Sequence, residues 1–278
     1  MLYICGTPLG NLKDISFRVL EILEECDYIA CEDTRNTLKL TNYYSIETKG
    51  KLISYHEHNK GAKGIELINL LKTGKNIALV SDAGMPIISD PGNELVNLCI
   101  EEDLEYTTVP TATAFVSALI LSGVSTRNFI FDGFLPTSTK EKKELINGYV
   151  NEFRTVAIYV APHHLKKTLN DLKIINRKMH VIREITKIYE EKISGSAEDL
   201  LTYFEKKQPR GEMVLIIEGK NKSDILQEKI NYWLDKSIED HVNIYVEEGF
   251  TKKEAMKKVA KDRGTSKSDI YNSLLSHN

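Results

Sequence analysis

The chain has 278 residues, 41% hydrophobic and 28% charged, with a formal net charge of -3, a composition that suits a soluble globular protein with room for two domains. Apolar runs such as Phe115 to Leu121 are too short to span a bilayer, and Met1-Leu2-Tyr3-Ile4-Cys5 lacks the basic start of a signal peptide, so no membrane association and a cytoplasmic location are expected. Cys5, Cys26, Cys31 and Cys99 lie in apolar segments without a Cys-x-x-Cys pair, which disfavours a zinc site or a disulfide framework and makes them core residues.

In chain order, short β-branched runs alternate with amphipathic ones. Strands are predicted at Leu2–Cys5, Tyr28–Cys31, Leu52–Tyr55, Ile77–Ser81 and Tyr106–Val109, with helices near Ser16–Glu25, Arg35–Tyr43, Ile65–Lys72 and Gly92–Glu102. That alternation is the pattern of a parallel α/β domain, placed at residues 1–112. A helix through Ala118 and Leu121 leads into a second α/β series over 113–222, with strands at Phe129–Phe131, Thr155–Val160, Met179–Ile182 and Met213–Ile217. Its helices are expected near Lys140–Asn151, Leu165–Leu172 and Ala197–Lys207.

The β pattern stops at about Ser223, and residues 223–278 are expected to be helical. Thr251 to Leu275 predicts two short helices broken at Gly264, capped by Thr251 and Ser266, with Ala255, Met256, Val259, Ala260, Ile270, Tyr271 and Leu274 facing inward. This is a helix-turn-helix-like pattern. From Thr251 to Asn278 there are seven Lys or Arg and three acids. Lys252, Lys253, Lys257, Lys258 and Lys267 are therefore candidate contacts to a polynucleotide backbone, the alternative being a solvated helical face.

In a parallel α/β sheet, ligands bind beyond the carboxyl ends of the strands. Three loops there carry unusual residues. Gly6-Thr7-Pro8-Leu9-Gly10-Asn11 permits a tight turn and close backbone approach, without dinucleotide-site spacing. Ser81 to Gly92 contains Asp82-Ala83-Gly84-Met85, which a plain loop does not account for, and Asp90-Pro91, which predicts a helix N-cap followed by proline at the first helical position. Val109-Pro110-Thr111-Ala112-Thr113-Ala114 ends on a possible cap, Thr113.

In this order and spacing, the three loops resemble the tetrapyrrole methylase superfamily and, within it, the ribosomal RNA small subunit methyltransferase I family. The resemblance extends over essentially the whole chain, through Ser54–Asn59, Gly133–Pro136, Arg183–Lys187 and Gly211–Leu215. It implies two α/β domains with a cofactor cleft between them, a small helical C-terminal domain, and a homodimer. It also implies S-adenosyl-L-methionine as cofactor and 2′-O-methylation of a cytidine in the decoding region of 16S rRNA. Carried over by position, Pro8, Leu9, Gly10, Asp82, Ala83, Gly84, Met85, Ser89, Thr113 and Ala114 would surround the cofactor, and Ala161 and Pro162 would close its other side. The chain departs from the family's pattern at Thr111 (usually Gly), Met85 (usually Thr) and Val160-Ala161-Pro162-His163-His164 (usually Glu-Ser-Pro-His-Arg).

Methyl transfer to a hydroxyl needs an in-line approach and a group that takes the proton. The candidates are His56, Glu57, Glu184 and Lys187, with Arg183 expected to bind phosphate. His56 and His58 could form a metal pair, but no third ligand stands at a recognisable spacing, and no metal is expected. Two other readings stay open. One is a methyltransferase of the same fold acting on a tetrapyrrole or other small substrate, and the other is a non-catalytic RNA-binding ribosome-assembly factor.

Overall fold

A computed structural model describes residues 1–275 of the chain. Met1–Tyr149 with Arg154–Glu218 makes one compact unit, and Val150–Phe153 with the chain from Gly219 onward makes another.

The first unit contains two five-stranded sheets. Strands β1 (Leu2–Cys5), β2 (Tyr28–Cys31), β3 (Leu52–Ser54), β4 (Ile77–Val80) and β5 (Tyr106–Val109) are ordered β3-β2-β4-β1-β5, every pair parallel. Helices α1 (Phe17–Glu25), α2 (Thr34–Tyr43), α3 (Lys60–Lys72) and α4 (Asn93–Glu101) make the crossovers. Apolar clusters lie on both faces, one around Leu67, Leu79 and Leu95 and the other around Val19, Leu23 and Ile29. Burial on both faces explains why β4 is uniformly apolar rather than alternating. All four cysteines are buried.

Helix α5 (Ala114–Ser122) leaves the first sheet and packs on the second, where Ala118 and Leu119 share a core with Leu9, Ile182 and Val214. The second sheet comprises β6 (Phe129–Phe134), β7 (Thr155–Val160), β8 (Met179–Arg183), β9 (Glu191–Gly195) and β10 (Met213–Ile217), in the order β6-β7-β10-β8-β9. Only β6 and β7 are parallel; the other pairs are antiparallel. Helices α6 (Thr139–Tyr149), α7 (Leu165–Asp171) and α8 (Ala197–Lys206) complete the unit.

In the second unit, α9 (Lys222–Leu234), α10 (Ile238–Glu247), α11 (Lys252–Asp262) and α12 (Lys267–Leu275) follow one another. Val242, Ala255, Val259 and Ile270 form the core of the last three. Thr251 caps α11 through a reciprocal pair with Glu254, and Ser266 accepts from the Asp269 amide, as the sequence predicts. Tyr271, expected inside, is exposed.

The two α/β sheets and the helical C-terminal region agree with the expected fold class. Other details differ. Strand β9 is not anticipated, because Glu191-Lys192-Ile193-Ser194-Gly195 has one large apolar residue and owes its conformation to pairing with β8. Helix α3 begins five residues before Ile65, and its extra first turn carries the glycines Gly61 and Gly64, the latter buried against Leu98. Helix α4 is capped by Gly92 at φ 140°, with no side-chain cap, so Asp90 is not its N-cap.

Candidate active site

The three loops meet at the carboxyl ends of β1, β4 and β5. Thr7 and Gly84 exchange backbone hydrogen bonds of 2.8 and 3.0 Å, tying the first loop to the second. The Thr7 hydroxyl donates to the Ser81 carbonyl at 3.0 Å, and the Gly6 amide donates to the Val109 carbonyl at 3.1 Å. Gly6 has no room for a side chain: a Cβ there would lie 2.1 Å from Thr111 Cγ2 and 2.7 Å from Met85 Sδ. The Thr111 amide in turn faces Met85 Sδ at 3.3 Å. Two of the positions at which this chain departs from the resembled pattern are thus in contact, filling one space above Gly6.

Between the sheets lies a cleft of about 450 Å³. Leu9, Ala83, Gly84, Met85, Ser89, Thr113 and Ala114 line it from the first sheet, and Ala161, Pro162, Glu184 and Lys187 from the second. Pro8, Gly10 and Asp82 line an adjoining cavity of about 380 Å³ that shares Leu9, Ala83, Lys187 and Glu212 with the cleft. The residues expected around a cofactor are therefore brought together, although they come from loops more than a hundred residues apart. A cleft of this size suits a nucleoside-sized ligand. Thr113 sits at the start of α5 without a side-chain cap bond.

The backbone around the cleft is strained. Ile87 (φ 76°) and Ser89 (φ 67°) hold the left-handed region between Gly84 and Gly92, and Glu184 (φ 51°) and Thr186 (φ 64°) do so on the opposite wall. A β-branched residue there is costly, and such strain persists where packing over-determines it. The bent second loop places Asp90 on the cleft wall. Burial, reinforced by the negative charges of Glu32 and Asp82, pushes its carboxyl up to about 7.

On the opposite wall, Lys187 Nζ donates to Glu184 Oε1 and Glu212 Oε2, both at 3.1 Å, and the Glu212 amide donates to Glu184 Oε1 at 3.1 Å. Burial alone would lower the Lys187 pKa, but these carboxylates raise it, so the ammonium stays charged. Glu184 is accordingly a braced carboxylate. Arg183, expected to contact phosphate, is buried: it ends β8 and donates to Glu191 at 2.5 Å and to the Arg210 carbonyl at 3.2 Å. Burial opposes ionisation of Glu191, yet Lys207, Tyr203 and Arg183 hold its pKa at about 2. The Arg183 guanidinium serves this ion pair rather than a phosphate.

His56 and Glu57 do not line the cleft. They follow β3, where Glu57 pairs with Lys60 at 2.7 Å and the His56 backbone amide donates to Asn59. Among the described residues no group of three or more His, Cys, Asp or Glu is arranged to hold a metal ion. In the helical unit Lys252, Lys253 and Lys257 are exposed, whereas Lys258 and Lys267 are half-buried, Lys258 lying over the rings of Phe250 and Tyr245 at 4.2 and 5.2 Å.

Residues 1–201 match the model of the Tetrapyrrole (Corrin/Porphyrin) Methylases. Proteins named ribosomal RNA small subunit methyltransferase I are similar along nearly the whole chain. The one from Halalkalibacterium halodurans is 46% identical over 98% of this chain and 93% of its own length. The one from Bacillus subtilis is 44% identical over 98% and 92%.

The chain belongs to the ribosomal RNA small subunit methyltransferase I family of the tetrapyrrole methylases.

The fold is shared more widely than the sequence: a crystal structure of diphthine synthase superposes with a TM-score of 0.62 at 13% identity, covering 79% of this chain and 90% of that one. Within the family fold, the cleft residues that sequence reasoning passes over are Asp90, Tyr159 and Glu212. Asp90 is hidden by an Asp-Pro-Gly string that imitates a helix start. Glu212 stands just before a strand rather than after one, and Tyr159 looks like an ordinary core residue.

Proposed function

We propose that the chain transfers a methyl group from S-adenosyl-L-methionine to the ribose 2′-hydroxyl of a cytidine in the decoding region of 16S rRNA, acting in the cytoplasm as a homodimer on the small ribosomal subunit. The observation that supports this reading best is the cleft itself, walled by the loops after β1, β4 and β5, with Asp90 on one wall and Glu184 and Glu212 holding Lys187 on the other. Two carboxylates on one ammonium, Glu184 and Glu212 against Lys187, leave the wall net negative, which suits a sulfonium-bearing ligand, and Tyr159 and Phe134 add aromatic surface for an adenine. The bound donor supplies an activated methyl group on a good leaving group, so the protein's contribution is position and proton removal.

Backbone of Leu9, Ala83, Gly84, Met85, Thr113 and Ala114 would hold that donor, with Pro8, Gly10, Asp82 and Ser89 around it and Ala161 and Pro162 opposite. Lys187, braced by Glu184 and Glu212, would orient the acceptor by its charged hydrogen-bond donors. Exposed Lys252, Lys253 and Lys257 would engage phosphates. The test is methylation of small subunits that lack the modification, mapped by mass spectrometry. A single ribose-methylated cytidine is expected; a methyl on a base, or transfer only to a tetrapyrrole, overturns the assignment.

A further inference from the structure

Methyl transfer leaves one chemical task without an agent, because the acceptor hydroxyl must lose its proton. Of the cleft's carboxylates, Glu184 accepts from both Lys187 and the Glu212 amide, and Glu212 is paired with the same lysine. Both carboxylates are thus committed to holding Lys187 in place. His56 and Glu57 lie off the cleft.

Asp90 differs in its partners. It is released from helix capping by Gly92, carried on a loop with two strained non-glycine residues, and set on the cleft wall with Tyr159 and Phe134. The groups that act on it are Glu32 beyond β2, Asp82 and Ser81 beyond β4, and Glu212 before β10; Tyr159 on β7 feels its charge in turn. No cation is among them.

The geometry points to Asp90 as the proton acceptor of the methyl-transfer step, a role that rests on the reading proposed above. As the acceptor oxygen bonds to the methyl carbon and the carbon–sulfur bond breaks, the hydroxyl proton passes to Asp90. The sulfur keeps the electron pair as a neutral thioether, and Asp90 later returns the proton to water. Its carboxyl, raised to about 7 by burial and by neighbouring acids, is matched to taking up a proton near neutral pH.

The experiment compares wild type with Asp90→Asn in three measurements: cofactor affinity by calorimetry, single-turnover methylation of small subunits across pH, and thermal unfolding across pH. Asparagine keeps the shape, so we expect cofactor affinity to be retained while the rate falls by about a hundredfold or more. The wild-type rate should rise with pH through about 7, and the variant should lose that limb.

Unfolding gives a readout independent of catalysis. The folded state keeps the Asp90 proton up to about 7, whereas the unfolded chain releases it near 3.8, so stability falls as pH rises between these values. Asp90→Asn lacks this loss and should gain melting temperature relative to wild type above pH 7 but not below pH 4. A variant that retains the wild-type rate and pH profile overturns the assignment, as does one that loses cofactor binding together with turnover. A wild-type chain that binds the cofactor but methylates no RNA defeats the underlying reading instead.

Discussion

In the cleft-bearing unit, Ile87, Ser89, Glu184 and Thr186 hold positive φ with side chains that disfavour it and flank the site, while Ser45 and Asp103 do so in turns away from it. In the helical unit, positive φ among the described residues falls on Gly249 and Gly264, which follow the ends of α10 and α11 and are conformationally suited to it. Asp90 carries a carboxyl whose charged form is disfavoured, whereas Ser237, Thr251 and Ser266 each cap the helix beside them. The first unit gives up local stability to shape a cavity; the second is regular and leaves lysines in solvent. Geometry in one unit and charge in the other should therefore be separable by mutation.

Among substitutions that separate the two units, the largest expected effect is at Gly6. Gly6→Ala would drive a Cβ into Thr111 and Met85, destabilising the first unit by about 1–3 kcal/mol and displacing the loops that line the cleft. We expect cofactor affinity to fall at least about tenfold, as 1.4 kcal/mol would give, in a calorimetric titration, while RNA affinity in a filter-binding assay changes little. Equal losses of both would erase the distinction between the units.

A smaller and complementary effect is expected from replacing Lys252, Lys253 and Lys257 together by glutamate. RNA binding should weaken and its dependence on log salt should flatten by roughly two to three, the count of phosphate contacts removed, with cofactor affinity unchanged. An unaltered salt slope would return these lysines to the role of a solvated face. Smallest is Thr251→Ala, which removes the capping pair of α11 and should cost the helical unit about 1 kcal/mol in denaturant unfolding without touching the cofactor.

How much of this could be read from the sequence follows from which forces act locally. The all-parallel first sheet is legible because its central strands are apolar runs followed by helices, as Ile77–Val80 shows. The helix caps at Thr251 and Ser266 are legible for the same reason, since a cap is decided within four residues. Strand β9 is not, because its conformation comes from a partner across a hairpin. Arg183 looks like a free cation until β8 and β9 are placed in register and Glu191 falls opposite it. Asp90 is misread because the helix starts two residues on, at Gly92; neither the φ of 140° there nor the closeness of Ile87 and Leu79, which leaves no room for a Cβ, is encoded by local propensity.

The most direct measurement of the central claim is a calorimetric titration of the full chain with S-adenosyl-L-methionine. Saturable binding at one site per chain, weakened by Gly6→Ala and retained in Asp90→Asn, is the result expected of a cofactor seated among these loops. A wild-type chain that binds small-subunit rRNA but shows no binding of S-adenosyl-L-methionine would contradict it and make the protein an RNA-binding relative on a methylase scaffold.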